Sequence, residues 1–421
     1  MSLINRGIVD NVGADYIETY LRNKGLLRTE DEKSMQTSDW VNSVLIKGFL
    51  DEEEFEKFLF GELLLGKRKL IRVYKLDNSR KFKYIEDWQD TLKDKYGLSK
   101  YDFSAILSTR VSTSEKCKIA AVHYYENEKG ELTRIQLLFI HYIQKIEENG
   151  YRDSCAYIPV DVDFKNGVMF IKAWNSTGTR EENRANMLLD ITKEKMSNVF
   201  GILNRKYLIS HQQVLFKMSK DIVNDIYNKI PAFKQISKVE TEIEKFEQSV
   251  FKQLPIINLR EDESGIGCIP SGVMDFKDEI RKAIERLTIS DYFYDRDYEE
   301  IWDMGIDAII ARIKFHDNEN ILTSLSGENS EKPIFCTKTF MYLAKSMEDS
   351  KLVERLWIAK PRKKGKLNIR YDASNKDYLE LIIGYNIRYT EEDLENAMET
   401  YREYEARAFS KITKYNQRHV S

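Results

Sequence analysis

The sequence is poor in the residues that most readily betray a chemistry. It has 4 cysteines and 5 histidines in 421 residues. Cys117, Cys155, Cys268 and Cys336 lie too far apart for a zinc knuckle or a redox dithiol, and they read as free thiols of a reducing compartment. Proline (6) and glycine (19) fall below the usual shares of about 5% and 7%, which argues against a long disordered linker and a glycine-rich cofactor fold. Regular structure should therefore fill most of the chain. Apolar runs such as LLFI at 137–140 are far short of the ~20 residues that span a bilayer, and MSLINRGIVDNVGADY has no basic region followed by an apolar stretch. The expectation is a cytoplasmic protein with no membrane partner. An excess of one charge is missing too: 66 Lys and Arg face 69 Asp and Glu, for a net charge of −3. Any contact with a polyanion must be regional. No H-E-x-x-H, G-x-S-x-G or kinase motif set occurs, and no repeat of 20–50 residues is visible.

What is present is strong periodicity. Residues 8–24 and 38–62 have helical spacing, and the acidic run Asp51–Glu54 suits a helix N-terminus, where the macrodipole favours negative charge. Residues 70–76 alternate with the period of a strand. From Cys117 the pattern turns to β: 117–126 with 131–143, then 155–164 with 168–174 around Asn166-Gly167, predict two hairpins. Helices follow over 183–203, 211–230 and 232–254; Gly and Ser then gather at 263–272. The rest predicts a helix at 273–287, strands at 306–316, 353–360, 366–371 and 378–388, and a final helix at 390–415 opened by Thr390 and Asp393. The expected class is α+β, with a helical N-terminal region, central antiparallel hairpins followed by helices, and a mixed C-terminal region ending in a long amphipathic helix. Three domains are expected: 1–110 mainly helical, 111–262 sheet plus helices, and 263–421 α+β.

Several clusters could carry chemistry. If Asn166-Gly167 is a two-residue loop, Lys165 faces Val168, Asp163 faces Phe170 and Asp161 faces Lys172, which puts Asp161, Asp163 and Lys172 on one sheet face. Two acids and a lysine are what a metal-dependent nuclease or phosphoesterase needs, with Mg²⁺ or Mn²⁺ as cofactor. Phe170, however, stands where a nuclease core wants an acid, and a cross-strand Asp161–Lys172 ion pair on a solvated face explains the same pattern. Gly61 to Lys67 matches a P-loop string, but it follows a helix and leads into a strand, and Arg68 replaces the Mg²⁺-binding hydroxyl. Gly265, Gly267 and Gly272 approach a dinucleotide fingerprint without its βαβ setting. Cys117 should sit opposite His141, either as a thiolate–imidazole nucleophile or as a buried cysteine beside a satisfied histidine. The aromatic and acidic run from Asp291 to Trp302 suits either a protein-binding surface or a helix with its own core.

Basic clusters remain. Lys67, Arg68 and Lys69 form one; Lys360, Arg362, Lys363, Lys364 and Lys366 form a denser one at the tip of an expected hairpin. Such a tip can follow a phosphate backbone, or simply shield a strand pair from edge-to-edge association. The leading expectation is a non-catalytic binding or sensing component of a larger assembly, contacting DNA or RNA through 360–366, in a setting such as phage defence or mobile-element maintenance. The enzyme built on Asp161, Asp163 and Lys172 is one alternative. A purely structural subunit, with a protein partner or as a homo-oligomer, is the other.

Overall fold

The computed structural model describes residues 3–418 apart from 78–81, 99–101, 149, 177, 202–206, 208, 255–258, 262–267, 271–275, 294–297, 317–320, 328–332, 336, 364 and 385–387. The architecture is α+β. Two compact units are formed, one from Met1–His211 with Ile369–Glu403 and one from Gln212–Asn368 with Tyr404–Ser421.

The first unit opens with four helices, α1 (Arg6–Val12), α2 (Ala14–Asn23), α3 (Thr37–Ile46) and α4 (Glu52–Leu64). Each pair shares one apolar periodicity, and each is broken for a local reason. Gly13, at φ 108°, turns the chain between α1 and α2. Between α3 and α4 the Asp51 carboxylate accepts from Glu54 N–H at 2.8 Å, so a new helix starts there, as the acidic run indicates. The strands β1 (Leu70–Lys75), β2 (Phe103–Ser104), β3 (Cys117–Glu126), β4 (Leu132–Glu147), β5 (Gly150–Asp163) and β6 (Val168–Ala173) follow, with α5 (Glu86–Tyr96) and α6 (Ala185–Asn198).

The second unit takes its elements from α7 (His211–Lys229), α8 (Glu240–Gln253), β7 (Leu259–Glu261), β8 (Cys268–Pro270), α9 (Phe276–Tyr292), α10 (Tyr298–Asp303), β9 (Ile309–His316), β10 (Leu322–Ser326), α11 (Lys338–Ser350) and β11 (Arg355–Pro361). The chain then enters β12 (Lys366–Asp372), β13 (Leu379–Ile383) and α12 (Glu391–Arg418). The expected capping of α12 is present: Asp393 N–H donates to Thr390 Oγ1 at 3.2 Å and Thr390 N–H donates back to Asp393 Oδ2 at 2.7 Å.

In the first unit the strands run in the order β12, β13, β1, β6, β5, β4, β3, β2, antiparallel throughout. Both faces are covered, which is why β3 to β6 read as nearly continuous apolar runs instead of a clean alternation. One face places Ile135, Leu137, Val160, Val162 and Ile171 against Trp88 and Leu92 of α5 and Leu188 and Leu189 of α6. The other places Leu138, Ile140, Cys155 and Tyr157 against Ile8, Val41, Phe55 and Leu59 of α1, α3 and α4.

The β5–β6 register differs from the two-residue loop expected. Asp163 pairs with Val168 and Asp161 with Phe170, leaving four residues, 164–167, in the turn. Asp163 causes this: its carboxylate accepts from Asn166 N–H at 2.9 Å and from Asn166 Nδ2 at 2.6 Å, closing a wider loop over itself. Because the slip is by two, every side chain keeps its face.

In the second unit β9 lies between β10 and β11, both antiparallel to it. Its Ile309, Ile310, Ile313 and Phe315 are buried, as the strand expected over 306–316 requires. The helix expected over 232–254 is a 3₁₀ segment over Phe233–Val239 followed by α8. Ile236 and Ile243 of its apolar stripe are buried, whereas Phe246 is 55% exposed.

The contact between α1 and β5 is close enough to test. A Cβ on Gly7 would stand 2.7 Å from Cys155 Sγ, while one on Gly61 of α4 meets nothing within 4 Å. Gly7→Ala should lower the unfolding midpoint in urea, and Gly61→Ala should raise stability by roughly 0.5–1 kcal/mol through helix propensity. Equal effects of the two substitutions would contradict this packing.

Candidate functional site

The structure brings Asp161 and Lys172 together and sends Asp163 elsewhere. Asp161 on β5 is 1% exposed and Lys172 on β6 is 0% exposed. Lys172 Nζ lies 3.5 Å from Asp161 Oδ2. The ion pair is therefore buried between packed layers, not on the solvated face expected, because this side of the sheet is covered. Lys172 also sits diagonal to Asp161, not opposite it, as the four-residue turn dictates.

The partner that sequence reasoning missed is Arg134 on β4. Its Nε donates to Asp161 Oδ1 at 2.7 Å and its Nη2 to Oδ2 at 2.6 Å, a bidentate grip, while Nη1 donates to Glu391 in the first turn of α12. The Gln136 amide oxygen accepts from Arg134 Nη2 at 3.0 Å. Two cations and two anions thus form a neutral set. Burial alone would raise the Asp161 carboxyl, but the Arg134 hydrogen bonds and the Lys172 charge outweigh it and hold the group below the ordinary aspartate range. Lys172 is held below its ordinary value by burial, against the pull of Asp161. Asp163 commits its carboxylate to Asn166 at the turn. Among the described residues no group of three His, Cys, Asp or Glu side chains is arranged to hold a metal ion.

A second charged network occupies the opposite face. Arg72 of β1 is buried, donates to Asp190 of α6 and to Asn186 Oδ1 at 3.3 Å, and lies 4.6 Å from the Tyr378 ring centre. Arg370 donates to Glu380 Oε1 at 2.7 Å. Beyond the Asp161–Lys172 pair neither network is visible in the sequence, because Arg134, Glu391, Arg72 and Asp190 come from elements far apart in the chain.

The two basic clusters separate. Arg68 is fully buried and donates to Asn11 O and Asn11 Oδ1, each at 2.9 Å. Burial lowers its pKa to about 10, still protonated at neutral pH. Lys67 is half-buried, donating to Asp10 O at 3.1 Å and lying 4.5 Å from the Trp174 ring centre. Lys69 is partly buried as well. This cluster faces inward. The 360–366 cluster, by contrast, is at a turn: Arg362 N–H donates to Gly365 O at 3.0 Å, with Pro361 and Lys363 exposed and Lys360, Arg362 and Lys366 partly so. Lys364 lies outside the described residues, as do Gly265, Gly267, Gly272, Asp295 and Asp297.

Cys117 does face His141, with Sγ 3.8 Å from Nε2. The pair is neutral, not a thiolate–imidazolium nucleophile: burial pushes the thiol up to about 11 and the imidazole down to about 4. His141 Nε2 is satisfied by Thr192 Oγ1 at 3.0 Å.

Two expectations follow. Asp161→Asn should cost about 3–5 kcal/mol, since it leaves Lys172 buried without a counter-charge and Arg134 with Glu391 alone, and adding Lys172→Met should recover part of that loss. A single-variant cost under about 1 kcal/mol in urea unfolding would show the network to be dispensable. The second concerns acid. His141 and His211 are both lowered to about 4 by burial. The unfolded imidazoles, near 6.5, take up protons first, so this stability is complete above about pH 6.5 and is lost towards pH 4 at up to about 1.4 kcal/mol per pH unit for each. Urea midpoints at pH 7 and pH 5 measure it, and His141→Asn should remove about half of the difference, leaving the share of His211. No family model matches this chain, and no curated protein matches its sequence.

Proposed function

We propose that this chain is a non-catalytic binding protein that contacts nucleic-acid phosphates through the turn at 360–366 in its second unit. The observation that carries the reading is the density of cations at that turn: Lys360, Arg362, Lys363, Lys364 and Lys366 fall within seven residues of a chain whose net charge is −3. Lysine and arginine at an exposed turn can follow a backbone without reading bases. The other dense basic run, 67–69, supports no such role, since Arg68 is buried against Asn11.

The competing phosphoesterase reading draws little support from the geometry. Both oxygens of Asp161 accept from Arg134, and Asp163 is engaged by Asn166. A divalent ion would have to displace the guanidinium from a buried site.

A salt-titrated mobility shift with labelled double-stranded DNA, single-stranded DNA and RNA, with and without Mn²⁺, tests the proposal. Binding should weaken linearly with the logarithm of salt concentration. Lys363→Glu with Lys364→Glu should lower that slope by roughly two, about one for each phosphate that a lysine no longer neutralises. Unchanged affinity in that variant would remove the role from this turn. Shortened product in Mn²⁺ would return the assignment to Asp161, Asp163 and Lys172.

A further inference from the structure

A cavity of about 600 Å³ opens in the first unit where the end of α5, strands β2 and β3 and the end of α6 meet. We propose that it binds a small phosphorylated molecule carrying a planar apolar group, of which a nucleoside monophosphate is the simplest example. The site is separate from the turn at 360–366 and does not depend on that reading.

Size permits it, since cavities that hold small ligands run from about 300 to 1,000 Å³. The lining has two chemical halves. Tyr96, Leu98, Phe103 and Val199 supply apolar surface. Tyr96 is fixed in place, lying parallel to Phe200 at 6.0 Å and edge-on to Phe139 at 6.1 Å, so a planar group would meet a settled ring. The polar half is strongly positive. Lys95, Arg110, Lys118 and Lys195 line it against one carboxylate, Glu115, which pairs with Lys118 at 2.7 Å. Among the described residues Arg110 donates only to backbone carbonyls, Thr109 O at 2.9 Å and Leu3 O at 2.7 Å. Among the described residues no carboxylate pairs with Lys95 or Lys195.

Lysines in the last turn of α5 and α6 complement the helix dipoles, which accounts for Lys95 and Lys195 being in those helices. It does not account for Lys95, Arg110 and Lys195, none paired with a carboxylate among the described residues, lining one concave surface of a chain whose net charge is −3. A concavity with low-dielectric walls and one sign of charge concentrates the opposite sign. Phosphate answers that charge better than a carboxylate does, because its several oxygens can engage two or three cations together. Ser108 and Thr109 also line the cavity, their hydroxyls donating to Ala105 O at 3.3 and 2.6 Å.

Equilibrium dialysis of the full chain against radiolabelled AMP, adenosine and ribose 5-phosphate reads each half of the proposal. AMP should be retained, at least about tenfold more tightly than adenosine, which lacks the charge, or ribose 5-phosphate, which lacks the planar group. Lys95→Glu with Lys195→Glu should weaken AMP at least about tenfold while leaving the far-UV circular dichroism unchanged. Should that variant fail to fold, Lys195→Gln alone should still weaken AMP several-fold. The proposal is overturned if AMP is not retained at about millimolar concentration, if ribose 5-phosphate binds as tightly, or if AMP binds the folded variants as it binds the parent.

Discussion

The grip of Arg134 on both oxygens of Asp161 is the contact around which the first unit is arranged. A carboxylate with 1% exposure is tolerable only when its charge is met at close range, and here it is met by Arg134 and Lys172. Arg134 in turn needs a second anion, which Glu391 provides from α12. One buried negative charge thereby ties β4, β5, β6 and the beginning of α12 to a single arrangement. Slipping β5 by one residue would send Asp161 to the opposite face and leave Lys172 alone among apolar side chains. The network therefore guards the strand register, whatever its net contribution to stability.

Charge runs through the interior of the sheet on both faces. Arg72 and Arg370 answer Asp190 and Glu380 on the side of α6, while Arg134 and Lys172 answer Asp161 and Glu391 on the other. Arg68 has the amide and carbonyl of Asn11 in place of a carboxylate. Arg68, Arg72, Arg134, Lys172 and Arg370 thus work inside the first unit. The turn at 360–366 and the cavity lined by Lys95 and Lys195 are two places where cations gather without burial in the sheet, and the two binding proposals rest on them.

Much of the fold was legible because it rests on local rules. Strand-forming runs located β1, β3, β5, β6, β9 and β11 with ends within about five residues, and Cys117 stands opposite His141 as expected. The break at Gly13 was not legible, since apolar spacing continues across it, whereas the acidic run at Asp51–Glu54 did mark the start of α4. The turn at 164–167 misled because Asn-Gly favours a two-residue loop, whereas the carboxylate of Asp163, three residues before Asn166, captures that asparagine first. Of the charge network only the Asp161–Lys172 pair could be read; its Arg134 and Glu391 members could not. Its geometry depends on β4 lying beside β5 and on α12 returning 257 residues after Arg134 to present Glu391, a long-range fact with no local signature.

That return has a kinetic side. The first unit is discontinuous in sequence, with β12, β13 and the start of α12 supplied after most of the second unit has been made. A nascent chain emerging at about 5–20 residues per second exposes the β1 edge and leaves the set of Arg134, Asp161 and Lys172 one negative charge short until β13 and Glu391 leave the ribosome. Contacts of such sequence separation form late and slowly. The long interval leaves an open strand edge, the surface most given to pairing with another chain, so folding of the first unit during synthesis must pass through a state that only its own last strands can close.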